Sequence, residues 1–358
     1  MRGVWLPTVP YEATAQRPEW TDLPPAVRAA VEARLGAPVT GVRVAHGGFT
    51  RGFAAVLTAA SGDRVFVKAS SDDYLVYAYE REALVTAALP ACVPAARPRW
   101  STRVDGWFVL CLDAVDGHMP GLPWRPAELD AALRAWATAA EALRVPLPLD
   151  VDLPDFADSC QESFTTWREI AAHRAPVPAM PRYALEHLDE LAALEGRLAE
   201  LAAGHRGLMH SDLRLDNVLI SDDGSAWLCD WNWLCHGPAW FDTAGLLVTA
   251  YASRMDADAL FAAHPTAADA PADALDAALA ALCGFWLSRA TQPAEASPNL
   301  SAHQRWSGEV SLAWLADRCG WATTDRLRVR DHGPDGGEEP GPGGGEGPPV
   351  LAPPAQAW

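Results

Sequence analysis

One stretch constrains this chain more than any other. Leu208-Met209-His210-Ser211-Asp212-Leu213-Arg214-Leu215-Asp216-Asn217-Val218-Leu219-Ile220 places apolar residues on both sides of a polar loop. Ser221-Asp222-Asp223-Gly224 follows as a hairpin turn, and Ala226-Trp227-Leu228-Cys229 is a second apolar run that ends at Asp230. Such a hairpin holds Asp212, Asn217 and Asp230 near one another. A carboxylate and an amide oxygen suit Mg2+, a hard cation that prefers oxygen ligands. A further carboxylate off the metal can orient and deprotonate a hydroxyl. If these were only turn and cap residues of a helical protein, their joint spacing would be a coincidence.

The basic residues carry a second signal. Of 28 Lys and Arg residues, only Lys68 is a lysine. A chain that uses Arg wherever a surface cation will do keeps a Lys where a compact ammonium is needed. Val65-Phe66-Val67 just before it read as a strand, not as a solvated loop. Around it the pattern is a helix at 24–35, then strands at 42–45, 53–59 and 64–69, with Ser61-Gly62-Asp63 as the hairpin turn between the last two. A helix at 77–89 and strands at 97–103 and 107–112 complete a small α+β unit. Residues 113–121 read as a connector. Helical periodicity dominates beyond it, at 127–143, 163–173, 183–203, 242–255, 273–289 and 304–319. Residues 331–358 contain eight Gly and seven Pro and cannot bury a core, so disorder is expected there.

His210-x-Asp212-x-x-x-x-Asn217, followed by Asp230 on the next strand, resembles the catalytic loop and metal-binding Asp of the protein-kinase-like fold. The chain is more similar to the aminoglycoside phosphotransferase family of small-molecule kinases. That family usually has His-Gly-Asp in the loop, where this chain has His210-Ser211-Asp212, and no Phe-Gly after the metal-binding Asp. Here Asp230 is followed by Trp231-Asn232-Trp233. The resemblance covers about residues 40 to 320. It implies an α+β, two-lobe protein-kinase-like fold, with a small antiparallel-sheet lobe and a larger helical lobe. The expected division is 1–36 as N-terminal segment and helix, 37–115 as nucleotide-binding lobe, 116–325 as catalytic and substrate-binding lobe, and 326–358 as tail.

The resemblance also implies roles. Asp212 would be the catalytic base, and Asn217 and Asp230 would bind Mg2+. Lys68 would contact the α- and β-phosphates of ATP or GTP, held by Glu82 from the following helix. Glu80 competes with Glu82 for that place. Asp113 and Val115 would bond the base of the nucleotide through their backbones. Asp242 would support the catalytic loop from a helix start, although an N-cap would also explain an Asp there. Arg214 could stabilise the transferred phosphoryl group, or point outward as an ordinary loop Arg. Gly48, in the Gly47-Gly48-Phe49-Thr50-Arg51-Gly52 loop between the first two strands, could lie over the phosphates, because Gly allows close backbone approach. Ordinary hairpin chemistry would use the same residues. His210 reads as a structural histidine, and Trp231 and Trp233 as cleft residues.

Charge narrows the partners. The net charge is −18, and five acids with no Lys or Arg in the last 28 residues leave −13 on residues 1–330. That disfavours a nucleic-acid binder, which needs a basic face. It is compatible with a cationic substrate, and Asp150, Asp152, Asp155, Asp158 and Glu162 could attract ammonium groups, or form a solvated face. The expected acceptor is an aminoglycoside or other cationic amino-sugar, as in antibiotic resistance. Macrolides, choline-like compounds and homoserine-like alcohols are alternatives. A catalytically silent kinase-like protein would lack the Lys, the base or the metal Asp, and all three residue types are present. No apolar run approaches the roughly 18 residues of a membrane-spanning helix, and the start has no signal-like apolar region. Seven irregularly spaced cysteines fit a reducing compartment. Cys229, Cys235 and His236 have no CxxC partner to make a zinc site. The expectation is a cytoplasmic monomer or weak dimer.

Overall fold

The computed structural model describes residues 3–205, 207–291 and 299–321. Helix α1 (Pro25–Leu35) leads into strands β1 (Val39–Val44), β2 (Phe53–Ala59) and β3 (Arg64–Ser70), helix α2 (Asp73–Ala88), and strands β4 (Pro98–Val104) and β5 (Trp107–Asp113). The five strands form one antiparallel sheet in the order β1-β2-β3-β5-β4. α1 has Pro at its first position, where the missing N–H costs nothing, and ends at Gly36 with φ 72°.

The period-two geometry of β3 explains where Lys68 goes. Val65, Val67 and Ala69 face one side and pack with Val27 and Val31 of α1. Phe66 and Lys68 face the other side, where Phe66 meets the cluster of Leu75 and Tyr79 from α2. Lys68 pairs in register with Ala54 on β2 and Leu110 on β5, at the centre of the sheet. The α2 helix begins four residues earlier than the periodicity predicts, because Asp72 caps it and accepts from Leu75 N at 3.0 Å.

The helical part comprises β6 (Gly117–His118), α3 (Pro126–Ala142), α4 (Phe156–Ser163), α5 (Thr166–Ala171), α6 (Arg182–Glu186), α7 (Leu188–Ala202), β7 (Leu208–Met209), β8 (Val218–Ser221), β9 (Ala226–Leu228), β10 (Cys235–His236), α8 (Ala239–Ala252), α9 (Ala257–Ala263), α10 (Ala274–Arg289) and α11 (Leu300–Cys319). α10 is buried around its whole circumference, as suits a central helix, and packs against α7, α8 and α11. β8 and β9 form the expected hairpin, and β6, from the connector, adds to it as a third strand.

Two expected helices differ from the structure. The 163–173 helix is shortened to α5, and α4 before it was not expected; buried Phe164 separates the two, in a cluster with Phe156, Phe241 and Phe285 at centroid distances of 6.0, 5.7 and 5.4 Å. The 183–203 helix breaks at His187, whose ring stacks on Trp321 at 4.3 Å. The short α9, capped by Asp256, carries no periodicity long enough to predict. The Gly/Pro-rich tail lies outside the described residues. Among the described residues no helix is long and apolar enough to cross a membrane.

Candidate active site

The loop between β7 and β8 is held by buried bonds that depend on its own residue types. Asp242, in the first turn of α8, accepts from His210 N at 2.8 Å and Ser211 N at 2.9 Å. It does not cap α8; Pro238 occupies that position, without a side-chain bond. Burial pushes the Asp242 carboxyl up to about 7, opposed by those N–H groups. His210 Nε2 is 2.8 Å from Cys229 O, and its Nδ1 is 3.3 Å from Asp212 N. A carbonyl on one side and an N–H on the other assign the neutral tautomer with the proton on Nε2. Burial lowers the His210 pKa to about 4. Ser211 sits at φ 70°, and its Oγ is buried beside the Cys235 thiol with no oxygen or nitrogen partner.

This loop presents three groups of the motif together. Asn217 Nδ2 donates to Asp212 O at 2.7 Å and to Asp212 Oδ2 at 3.1 Å. Arg214 does not point outward. Its Nη1 donates to Asp212 Oδ1 at 2.6 Å, and its Nε and Nη2 grip Asp216 at 3.1 and 3.0 Å. Burial pushes the Asp212 carboxyl up to about 8, although Arg214 pulls the other way.

The second cluster joins the sheet to the hairpin. Lys68 Nζ lies 2.9 and 2.7 Å from the two Glu82 oxygens and also pairs with Asp230. Burial disfavours the ammonium, but Asp230 and Glu82 outweigh it and raise its pKa. Tyr79 places its ring 5.6 Å from Nζ. Glu80 lies on a different face of α2 and pairs with Arg103 at 2.5 Å. Asp230 adopts φ 60°, in the left-handed region that Asp tolerates better than most side chains.

Both clusters open onto one cleft of about 840 Å3 between sheet and helices. Lys68, Glu82, Asp113, Val115, Gly48, Asp212, Arg214, Asn217 and Asp230 all line it, as do Trp231 and Trp233. Val56, Phe66, Leu112, Leu219 and Leu228 form an apolar slot at one end. The Asp113 side chain turns to Arg99 at 2.7 Å, and its N–H donates to Arg97 O at 2.9 Å. Asp150, Asp152, Asp155, Asp158 and Glu162 do not line the cleft; Asp155 caps α4 instead. Sequence reasoning missed three further lining groups. Asp216 lies inside the motif and anchors Arg214. Tyr74, with Trp233 at 6.0 Å, walls the space near Asp212. Arg17 comes from the irregular N-terminal segment, which carried no signal.

The phosphotransferase enzyme family matches residues 42–282 of the chain. The chain belongs to that family. Several solved aminoglycoside phosphotransferases share its architecture. A thermostable mutant of APH(4)-Ia, in complex with ADP and hygromycin B, is 16% identical over 83% of this chain and 99% of that one, with TM-score 0.56. APH(2")-IIia, in complex with GDP and kanamycin, is 14% identical over 82% and 97%, also with TM-score 0.56. An aminoglycoside phosphotransferase from Alicyclobacillus acidocaldarius is 18% identical over 79% and 92%, with TM-score 0.51. At these identities the likeness is one of fold. The serine/threonine-protein kinase PknL of Mycobacterium tuberculosis is 44% identical over 66 residues, only 18% of this chain and 14% of the kinase. The family phosphotransferase thus has the antiparallel-sheet and helical lobes expected from the motif.

Proposed function

We propose that this phosphotransferase moves the γ-phosphoryl group of ATP or GTP to a hydroxyl of a small molecule, with Mg2+ bound between protein and nucleotide. The observation that carries this reading is the convergence, in one cleft, of the Lys68–Glu82–Asp230 ion triad with the Asp212–Asn217 pair. In this reading Glu82 holds Lys68 toward the α- and β-phosphates. The apolar slot takes the base, whose edge meets the Asp113 carbonyl and the Val115 N–H, since the Asp113 N–H already serves Arg97. Gly48, at φ 80°, lets the loop backbone approach the phosphates.

The donor set suits Mg2+. Asn217 spends its amide nitrogen on Asp212, which turns its Oδ1 the other way. Asp230 meets Lys68 through Oδ1 and keeps Oδ2. Two protein oxygens are what Mg2+ commonly takes when phosphates supply further ligands. Among the described residues no group of three or more His, Cys, Asp or Glu could hold a metal alone. When bound, the cation supplies neutralisation of charge on the phosphate oxygens.

Asp212 takes the acceptor proton as the acceptor oxygen bonds to phosphorus and the bond to the β-phosphate oxygen breaks, releasing the diphosphate. Arg214 holds Asp212 in place and brings a cation beside the transferred group. Related enzymes in complex with hygromycin B and kanamycin favour an amino-sugar acceptor. The Tyr74 and Trp233 wall, with no carboxylate cluster from 150–162 beside it, favours as a second reading a less cationic alcohol.

The test is diphosphate release with Mg-ATP and Mg-GTP across aminoglycosides, macrolides and small alcohols, with Asp212→Ala beside the wild type. Stimulation by one class, lost in Asp212→Ala while nucleotide binding persists, supports the reading. Absence of both stimulation and Mg-nucleotide binding overturns it.

A further inference from the structure

Residues 3–22 run from the helical part to the sheet. Trp5 N donates to Ala252 O at 3.0 Å, and His303 Nε2 lies 2.7 Å from Val9 O. Thr14 Oγ1 then reaches the Gly48 carbonyl at 2.6 Å. Arg17 follows, inside the cleft, beneath the glycine-rich loop. Its Nη1 donates to Thr50 Oγ1 at 3.0 Å and to Gly52 O at 2.8 Å, and its Nη2 donates to Gly47 O at 3.1 Å. A guanidinium has five N–H donors. One on Nη2 remains, and Nε is buried with no partner.

The partners of Arg17 are all neutral. The other two cations of the motif region are each matched by two carboxylates. Lys68 has Glu82 and Asp230, and Arg214 has Asp212 and Asp216. Arg17 has no ion pair with a carboxylate among the described residues. It nonetheless lines the same cleft as Lys68 and Asp230. A triphosphate brings more negative charge than a Lys already shared with two carboxylates can meet. A planar, always-charged fork fixed by three backbone and hydroxyl oxygens offers that charge without reorganising.

We propose that Arg17 is a second phosphate-binding cation of the nucleotide site, supplied by the segment that precedes the family-matched residues. This rests on the nucleotide reading above. Its remaining Nη2 N–H has no acid partner among the described residues, so it is the donor a phosphate oxygen takes up.

The experiment uses the full chain as wild type, Arg17→Gln and Arg17→Lys. Each is titrated by calorimetry with Mg-ATP, Mg-ADP, AMP and adenosine, and with the guanine series. Arg17→Gln is expected to weaken triphosphate binding about 10- to 100-fold, the loss of one charge-assisted contact. Nucleoside binding should hold within about twofold, because a nucleoside carries no phosphate for Arg17 to contact. Arg17→Lys should recover part of the loss. Equal weakening of ATP and adenosine, or none of ATP, overturns the proposal; the first outcome makes Arg17 a loop clamp only. Should Arg17→Gln not fold, the wild type alone decides. Phenylglyoxal labelling of Arg17, read by peptide mass spectrometry, should be slowed by Mg-ATP and not by adenosine, and equal rates overturn the proposal. A wild type that binds no nucleotide of either series overturns the parent reading itself, an outcome distinct from all of these.

Discussion

Asp242→Ala should separate two roles that a sequence leaves equivalent for an Asp near a helix start. An N-cap lost to Ala costs about 1 kcal/mol. Asp242 instead accepts the N–H groups of His210 and Ser211, which are 0% and 1% exposed. Each buried N–H left without an acceptor costs about 1–3 kcal/mol, so the Ala variant should lose about 2–6 kcal/mol. That is a large share of the about 5–15 kcal/mol that a domain has in total. Asp242→Asn keeps one acceptor oxygen and turns an NH2 toward the other N–H, and should lose about half as much. Urea unfolding at constant slope measures the loss. Turnover measures the consequence, since His210 Nδ1 in turn faces the Asp212 N–H. A displacement of about 1 Å at Asp212 should lower turnover about 100-fold, with Mg-nucleotide affinity nearly unchanged. If Asp242→Ala unfolds within about 1 kcal/mol of the wild type and turns over normally, the carboxylate is only a helix-start residue and this account of the loop fails.

Gly284→Ala sets helix propensity against packing: Ala gains about 1 kcal/mol in a helix interior, but its Cβ would meet Trp167 Nε1 at 2.6 Å. Trp167 is fully buried and tied to Ala280 O at 2.7 Å, so overpacking should win with a net loss of about 1–3 kcal/mol, and a raised melting temperature would refute it. Ser211→Gly should stabilise by about 1 kcal/mol, since it relieves the left-handed backbone and removes a hydroxyl without an oxygen or nitrogen partner; an unchanged or lower urea midpoint would count against that. For His210 the folded pKa of about 4 lies below the usual unfolded value. The unfolded chain therefore binds the proton first, and stability present above about pH 6.5 is lost as pH falls toward 4, by up to about 3 kcal/mol. His210→Gln does not titrate, so its stability gap to the wild type should shrink between pH 7 and 4.5; a constant gap would show that the imidazole is not held neutral.

How much of this molecule was legible depends on the range over which each contact acts. β2 and β3 were readable because alternation and the Ser61-Gly62-Asp63 turn are local. The residue set Asp212, Asn217 and Asp230 was readable because a hairpin imposes its spacing. The choice of Glu82 over Glu80 came only from the resemblance, because both are acids on one helix. It is settled by their angular separation on α2, which sends Glu82 to Lys68 and Glu80 to Arg103. The breaks at Phe164 and His187 were hidden because their causes, Phe241, Phe285 and Trp321, lie far along the chain. The carboxylates at 150–162 raised an expectation that composition supports and geometry does not, since a surplus of acids says nothing about which wall they line. Arg17 was the least visible group of all. It is one Arg among 27, and its meaning comes from what surrounds it: three neutral acceptors 30 to 35 residues away. A motif names the charges of a site, whereas the balance among them emerges only when chain segments that share no spacing are packed together. Among the described residues that balance leaves Lys68 and Arg214 matched by acids and Arg17 unmatched, so the N-terminal segment contributes a charge that the motif alone does not contain.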